Sequence, residues 1–319
     1  MKKKFAIISG EPNSINSEII AKSWIRLNKK LRSKFFIIGN FEILKKQLNK
    51  IRIKIPIIKL NNFNEIKQTK SLQVLNIPLK FKNPFEVSKK NNSIYIKQSL
   101  NLAHKLALNK DIYGFINCSV DKRSLGKNNL GVTEYLSKKN KLMNSEVMMI
   151  YNKNLSVVPL TTHVNIKDIN KKLKFKFIEK KINTLNSYYS RLFKKKPTIA
   201  VLGLNPHNAE LKANSEEKKI ILPLVKKLKR KKIKIFGPFS ADTIFIDQNN
   251  KFDVIIGMYH DQVLAPFKAL FGFDAINITL GLKYIRISPD HGTAKDIINK
   301  RKANPKSLLE AIIFISKIK

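Results

Sequence analysis

Short apolar runs alternate with segments of helical period along almost the whole chain. Phe5 to Ser9 reads as a strand, and Ile20, Trp24, Leu27 and Leu31 keep a helical spacing over about Ser17 to Lys30. Phe35 to Ile38 and Ile51 to Ile58 predict two further strands, with a short helix near Glu42 to Leu48 between them. A helix from about Ile96 to Leu108 carries His104 as a structural or surface histidine. Ile112 to Asn117 then reads as a strand leading into a polar turn that contains Lys122. Ile178, Ile182, Leu185, Tyr189 and Leu192 mark one helix face ahead of a strand from Thr198 to Leu202. Ser215 followed by Glu216 and Glu217 predicts a helix start with acidic groups against the dipole, and Pro223 predicts a kink or a new start. Strands follow at Ile233 to Phe236, Val254 to Gly257, Ile276 to Thr279 and Tyr284 to Ile287. A last helix opens after Asn304-Pro305 with Leu308, Leu309 and Ile312 facing inward. The polar stretch from Asn61 to Lys70 reads as a surface loop. Such an order implies an α/β protein with a largely parallel or mixed sheet.

The candidate chemistry lies just past these apolar runs. His163 follows Val157 to Leu160, His207 follows Ile199 to Leu202, and His260 follows Val254 to Ile256. Loops beyond strand ends line the binding crevice of an α/β fold, so three imidazoles can converge there. Three neutral imidazoles with one open position are the ligand set of a catalytic divalent metal, most often zinc. The alternative is three unrelated loop histidines. Their separations match no local zinc-finger pattern, so any such site is assembled by the fold. The last third also carries a dense polar constellation: Ser240-Ala241-Asp242-Thr243, His260-Asp261-Gln262, Lys268, Asn277, Arg286 and Asp290-His291-Gly292-Thr293. Arg286 sits inside an otherwise apolar strand and, with Lys268 and Asn277, is suited to clamp a phosphate or carboxylate. An ion pair between Arg286 and a nearby aspartate is the competing reading.

Composition changes this picture little. At 319 residues and 43% hydrophobic content the chain can build one large domain or two ordinary ones. Lys+Arg of 63 against Asp+Glu of 22 gives a formal net charge of +41, which normally points to nucleic acid or an anionic surface. The basic residues are, however, scattered through every segment beside Asn and Ile, the residues that AT-rich codons supply. No RGG tract, zinc-finger spacing or aromatic RNP-like strand accompanies them, so no specific nucleic acid is expected. A single cysteine, Cys118, rules out an intrachain disulfide and suits a reducing compartment, hence the cytoplasm. The apolar run after Met1-Lys2-Lys3-Lys4 is too short for a signal peptide, and no stretch is long enough to span a membrane. No G-x-G-x-x-G, no P-loop and no G-x-S-x-G elbow is present.

Several segments are specific enough to resemble a known family. They are Leu160-Thr161-Thr162-His163, Gly203-Leu204-Asn205-Pro206-His207 and the run from Met258-Tyr259-His260-Asp261-Gln262 to Lys268. Asn277-Ile278-Thr279-Leu280-Gly281-Leu282 and Arg286-Ile287-Ser288-Pro289-Asp290-His291-Gly292-Thr293-Ala294 belong with them. Weaker matches run from Ile8-Ser9-Gly10-Glu11-Pro12 through Gly131-Val132-Thr133-Glu134 to Asn304-Pro305-Lys306-Ser307-Leu308. In this order they resemble the 4-hydroxythreonine-4-phosphate dehydrogenase family of pyridoxal phosphate biosynthesis. The resemblance implies an isocitrate/isopropylmalate dehydrogenase-like fold: two α/β domains with the active site in the cleft between them, binding the nicotinamide without a Rossmann fingerprint. The domains expected are residues 1–120 with 270–319, and residues 121–269, the latter carrying dimer contacts.

The same resemblance makes His163, His207 and His260 the metal ligands and Thr133, Lys268, Asn277 and Arg286 the substrate contacts. Asp261 and Lys268 are the expected catalytic residues, Asp261 orienting His260 or relaying a proton. The cofactors implied are NAD or NADP and a divalent zinc, magnesium or cobalt ion, the substrate a small phosphorylated hydroxy acid. The site is expected to be shared in a homodimer, with His260, Lys268, Asn277 and Arg286 opposite His163 and His207. Three departures stand out: Val132 replaces the family's substrate-binding histidine, Glu11-Pro12-Asn13 replaces Gly-Asp-Pro, and Asn208-Ala209-Glu210 replaces Ala-Gly-Glu. They leave two alternatives, a sister enzyme on a threonate or erythronate phosphate, and a basic nucleic-acid-binding protein on an enzyme scaffold.

Overall fold

The computed structural model describes residues 4–126, 131–142, 144–246, 251–272 and 274–318. Its strands are β1 (Phe5–Ile8), β2 (Phe35–Gly39), β3 (Ile57–Leu60), β4 (Leu72–Asn76), β5 (Gly114–Asn117), β6 (Val147–Tyr151), β7 (Ser156–Pro159), β8 (Ile199–Leu202), β9 (Ile235–Phe239), β10 (Val254–Gly257), β11 (Ile276–Leu280) and β12 (Ile285–Pro289). The chain divides into two compact units, Met1–Lys141 with Leu282–Lys319, and Leu142–Gly281. The corresponding bounds drawn from sequence are 1–120 with 270–319, and 121–269.

In the first unit the strands run β3-β4-β2-β1-β5-β12, and each neighbouring pair is parallel. Parallel strands are joined by helical crossovers that cover both faces, so they bury every side chain rather than alternate ones. Hence β1 and β2 are buried at every position and read in sequence as unbroken apolar runs. In the second unit the order is β11-β6-β7-β10-β8-β9. Here β6 is antiparallel to both β11 and β7, while β7, β10, β8 and β9 are mutually parallel. Val157, Ala200, Leu202, Ile255, Val263 and Phe267 form the centre of this unit's core.

The structure moves several of the expected elements. Ile51 to Pro56 is not strand: Ile51 caps the helix Phe41–Lys50, Ile53 N–H returns to Leu48 O, and β3 begins only at Ile57. The first long helix stops at Arg26, because the Asn28 side chain accepts from Leu31 N–H and opens a separate turn, Lys29–Arg32. The helix Lys89–Leu108 starts a full turn or more before Ile96, capped by Ser88. Strands β4 and β6 and the helix Val132–Lys139 carry no expectation from sequence. Pro223 marks a new start, the helix Leu222–Arg230, where a proline costs no intrahelical bond.

Candidate active site

In the second unit β7, β10 and β8 are consecutive parallel neighbours, so the loops after all three leave the same edge of the sheet. His163, His260 and His207 lie on those loops, in that order. The first two loops are tied together by backbone: Leu160 N–H donates to Gly257 O at 2.8 Å and Thr161 N–H to Met258 O at 3.2 Å. The Thr161 hydroxyl adds a bond to Met258 O at 2.7 Å. The rings of His163 and His260 come to rest 6.3 Å apart, tilted by 33°. His260 opens the helix His260–Phe271, and its Nδ1 lies 2.6 Å from Asp261 Oδ1. Facing a carboxylate, a neutral imidazole takes its hydrogen on Nδ1 and keeps the Nε2 lone pair for a metal. Gln262 links the third loop: its Oε1 accepts from Met258 N–H at 2.7 Å, and its Nε2 donates to Gly203 O at 2.8 Å.

His207 occupies a different kind of backbone. Residues His207 to Leu211 all have positive φ, between 46° and 57°. A left-handed turn of non-glycine residues costs roughly 1–2 kcal/mol per residue, so its surroundings must impose it. The His207 side chain is 75% exposed, with Nδ1 3.8 Å from Asp242 Oδ2. Among the described residues no group of three or more His, Cys, Asp or Glu side chains lies close enough to hold a metal ion. One chain therefore brings His163 and His260 together and leaves His207 apart, beside Asp242. On β11, the Oδ1 of Asn277 is buried, and among the described residues it has no hydrogen-bond partner. Lys268 lies half-buried in the last turn of the helix His260–Phe271.

The first unit holds the other expected cluster. Arg286 is only 3% exposed on β12. Its Nε donates to Asn117 Oδ1 at 2.6 Å and its Nη1 to Thr133 Oγ1 at 3.0 Å. Burial lowers the guanidinium to about 10, opposed by the charge of Glu134, so it stays protonated at neutral pH. Arg286 and Thr133, 153 residues apart, are thus in contact. Asn117 and Thr133 bond the guanidinium, and Glu134 is a nearby negative charge. Asn117 escaped the sequence reading. Its only signal there is a polar residue ending an apolar run, at the carboxyl end of a strand next to that of Arg286. Behind this cluster, the Tyr284 hydroxyl bonds His104 Nδ1 at 2.7 Å and accepts from Asn140 Nδ2 at 3.1 Å. Burial pushes that phenol up to about 12. Burial, helped by Lys139 and Lys283, lowers His104, which serves as a structural histidine.

Among the described residues no helix is long and apolar enough to cross a membrane. The family model described as pyridoxal phosphate biosynthetic protein PdxA matches residues 31–315. A 4-hydroxythreonine-4-phosphate dehydrogenase of Aquifex aeolicus is 35% identical over 99% of this chain and 98% of the relative. The crystal structure of a 4-hydroxythreonine-4-phosphate dehydrogenase from Klebsiella pneumoniae superposes with a TM-score of 0.86 at 28% identity, covering 99% of both chains. A β-decarboxylating dehydrogenase from Thermococcus kodakarensis shares the fold alone, with a TM-score of 0.52 at 11% identity over 98% of this chain and 82% of that one.

Proposed function

Because the chain belongs to the pyridoxal phosphate biosynthetic protein PdxA family, we propose that it works as a 4-hydroxythreonine-4-phosphate dehydrogenase. It oxidises 4-phosphooxy-L-threonine with a nicotinamide cofactor, and the product loses carbon dioxide to give 3-amino-2-oxopropyl phosphate. The observation that carries the substrate class is Arg286. A protonated guanidinium this deeply buried, held in place by Thr133 and Asn117, is suited to bind a phosphate oxyanion through charge-assisted hydrogen bonds. Thr133, Lys268 and Asn277 are the further substrate contacts. The unpartnered Oδ1 of Asn277 suits a donor such as the substrate's hydroxyl or ammonium.

The donor chemistry around the histidines fits a divalent cation. His163 and His260 are neighbours, and with Asp261 at Nδ1 a neutral His260 ring keeps its Nε2 lone pair for a metal. Zinc, magnesium or cobalt held by His163, His207 and His260 would supply a Lewis acid at the substrate's alcohol oxygen. The nicotinamide, NAD or NADP, supplies the hydride acceptor. Asp261 fixes the His260 ring and, 82% exposed at its side chain, is placed to pass a proton to solvent. Lys268 contributes positive charge beside the departing carboxylate or the phosphate.

A homodimer with shared sites completes this reading. Large apolar side chains stand exposed on the second unit, Ile166 at 81%, Ile246 at 80% and Leu270 at 52%, and a subunit contact would cover such groups. In the shared site His260, Lys268, Asn277 and Arg286 of one subunit face His163 and His207 of the other. The single, buried Cys118 suits a cytoplasmic enzyme. The decisive experiment is a substrate panel followed by reduced-nicotinamide formation, with and without a chelator. 4-Phosphooxy-L-threonine is expected to be the fastest substrate, with turnover abolished by chelation. Preference for a threonate or erythronate phosphate would overturn the assignment.

A further inference from the structure

Glu217 is completely buried in the one-turn π segment Glu217–Ile221 that leads into the helix Leu222–Arg230. Its place near a helix start predicts a dipole partner. The carboxylate instead turns to the His207 loop. Its Oε1 accepts from the backbone N–H of Leu204 at 2.7 Å and of Asn205 at 2.8 Å, and its Oε2 accepts from Asn205 Nδ2 at 3.1 Å. The same amide also donates to Glu216 Oε2 at 2.9 Å. Burial alone would raise this carboxyl, but the donors from Asn205 and Leu204 outweigh it and hold it below the usual carboxylate range. Asn205 O then accepts from Asn208 N–H at 3.1 Å, inside the left-handed turn. The turn's entry is equally tight at Gly203, where a Cβ would overlap Asn208 Oδ1 and crowd Glu217 Oε1. On the opposite side Gln262 Nε2 holds Gly203 O, and Gly203 N–H donates to Phe239 O at 3.0 Å.

We infer that Glu217, assisted by Gln262 from the other side of the loop, is a positioning residue that presents His207 to the metal. Being wholly buried, it meets neither substrate nor cofactor and acts only through the loop it grips. An ionised carboxylate is the side chain for this place, because one oxygen can take two adjacent backbone N–H groups while the other takes the Asn205 amide. The inference rests on the reading of His207 as a metal ligand, and the test separates the two.

Purified wild type, Glu217→Ala, Glu217→Gln, Gln262→Leu and His207→Ala are titrated with cobalt(II), read by its visible absorption. Amide exchange across residues 203–211 is followed in the metal-free proteins. Loss of an outer-shell partner typically weakens metal affinity by about 10–100-fold, and that is expected for Glu217→Ala and, at the low end, for Gln262→Leu. Exchange at Leu204 and Asn205 should accelerate in Glu217→Ala, while kcat at saturating cobalt stays within about threefold, a split that general loss of structure would not give. Glu217→Gln keeps an oxygen for both backbone donors and should recover most of the affinity. If Glu217→Ala does not fold, Gln262→Leu carries the test. Wild-type cobalt affinity in Glu217→Ala and Gln262→Leu, with His207→Ala impaired, overturns the inference and leaves the ligand reading standing. Unchanged affinity in His207→Ala overturns the ligand reading itself, and the positioning role falls with it.

Discussion

Replacing Arg286 by methionine separates binding from stability at one residue. The guanidinium is 3% exposed and burial lowers it from 12.5 to about 10, so keeping it charged costs the fold on the order of 3 kcal/mol. Because the folded value is the depressed one, that cost is fully present at every pH below about 10 and is relieved only as pH rises beyond it. A measurement at neutral pH therefore contains all of it. Methionine removes the cost but also the bonds to Asn117 and Thr133 and the charge facing Glu134, together a loss of about 1–3 kcal/mol. The two nearly cancel. The melting temperature of Arg286→Met is expected to stay within about 5 °C of wild type, since 1 kcal/mol moves it by roughly 2–4 °C in units of this size. Binding does not cancel. One charge-assisted bond to phosphate is worth about 1.5–3 kcal/mol, so kcat/KM for 4-phosphooxy-L-threonine should fall by about 10–150-fold. The unphosphorylated amino acid should lose almost nothing. The assays are calorimetry and steady-state kinetics on both substrates. Equal losses on the two substrates, or a fall of the melting temperature by more than about 10 °C, would refute the reasoning and make Arg286 a structural group.

Three further outcomes follow from the same geometry. His207→Ala should release the metal and lower activity by on the order of 100-fold, measured by metal analysis and turnover; activity that survives exhaustive chelation of the wild type would contradict it. Mixing inactive His163→Ala with inactive His260→Ala tests the shared site: if the two residues serve one metal from opposite subunits, each mixed dimer rebuilds one site, and random exchange restores about a quarter of wild-type activity. No recovery after proven exchange means that the 6.3 Å pair seen in one chain is the functional pair. Val132→His should lower KM for the phosphorylated substrate by up to about tenfold, the worth of one hydrogen bond, and leave kcat nearly unchanged; a raised KM would favour a different phosphorylated hydroxy acid.

What could be read from the sequence depended on how local the determining interaction is. The runs that became β1, β2 and β10 are buried on both faces and need no partner to be recognised. By contrast β4 is interrupted by Gln73, and β6 sets Met148 and Met149 between Val147 and Ile150, so each holds too few branched residues to stand out as a strand. The three histidines were legible because each follows a strand end, and Arg286 because a charge interrupts an apolar run. Asn117 was not, since its meaning comes from Arg286, 169 residues away on the neighbouring strand. The left-handed turn at His207 was hidden for a different reason. Of its residues only His207 and Asn208 adopt that conformation readily, and the groups that hold its entry, Glu217 and Gln262, arrive from separate segments.

The charge balance also reads differently once burial is known. With 63 basic residues against 22 acidic ones, lysine is the common ionisable side chain and should dominate any random sample of the interior. It does not. The charged residues that the described structure buries are Glu11, Glu18, Glu146, Glu217 and Arg286, with no lysine among them. Glu11 accepts from Asn92 at 2.5 Å, Glu18 from Ala303 N–H at 2.9 Å, and Glu217 grips the His207 loop. Burying a charge is tolerated only where donors or a counter-charge replace water, and these partners supply them for Glu11, Glu18 and Glu217. The lysines of the described residues lie outside the core and meet no such requirement. In a chain so rich in lysine, a buried glutamate says more about mechanism than any basic cluster on the surface.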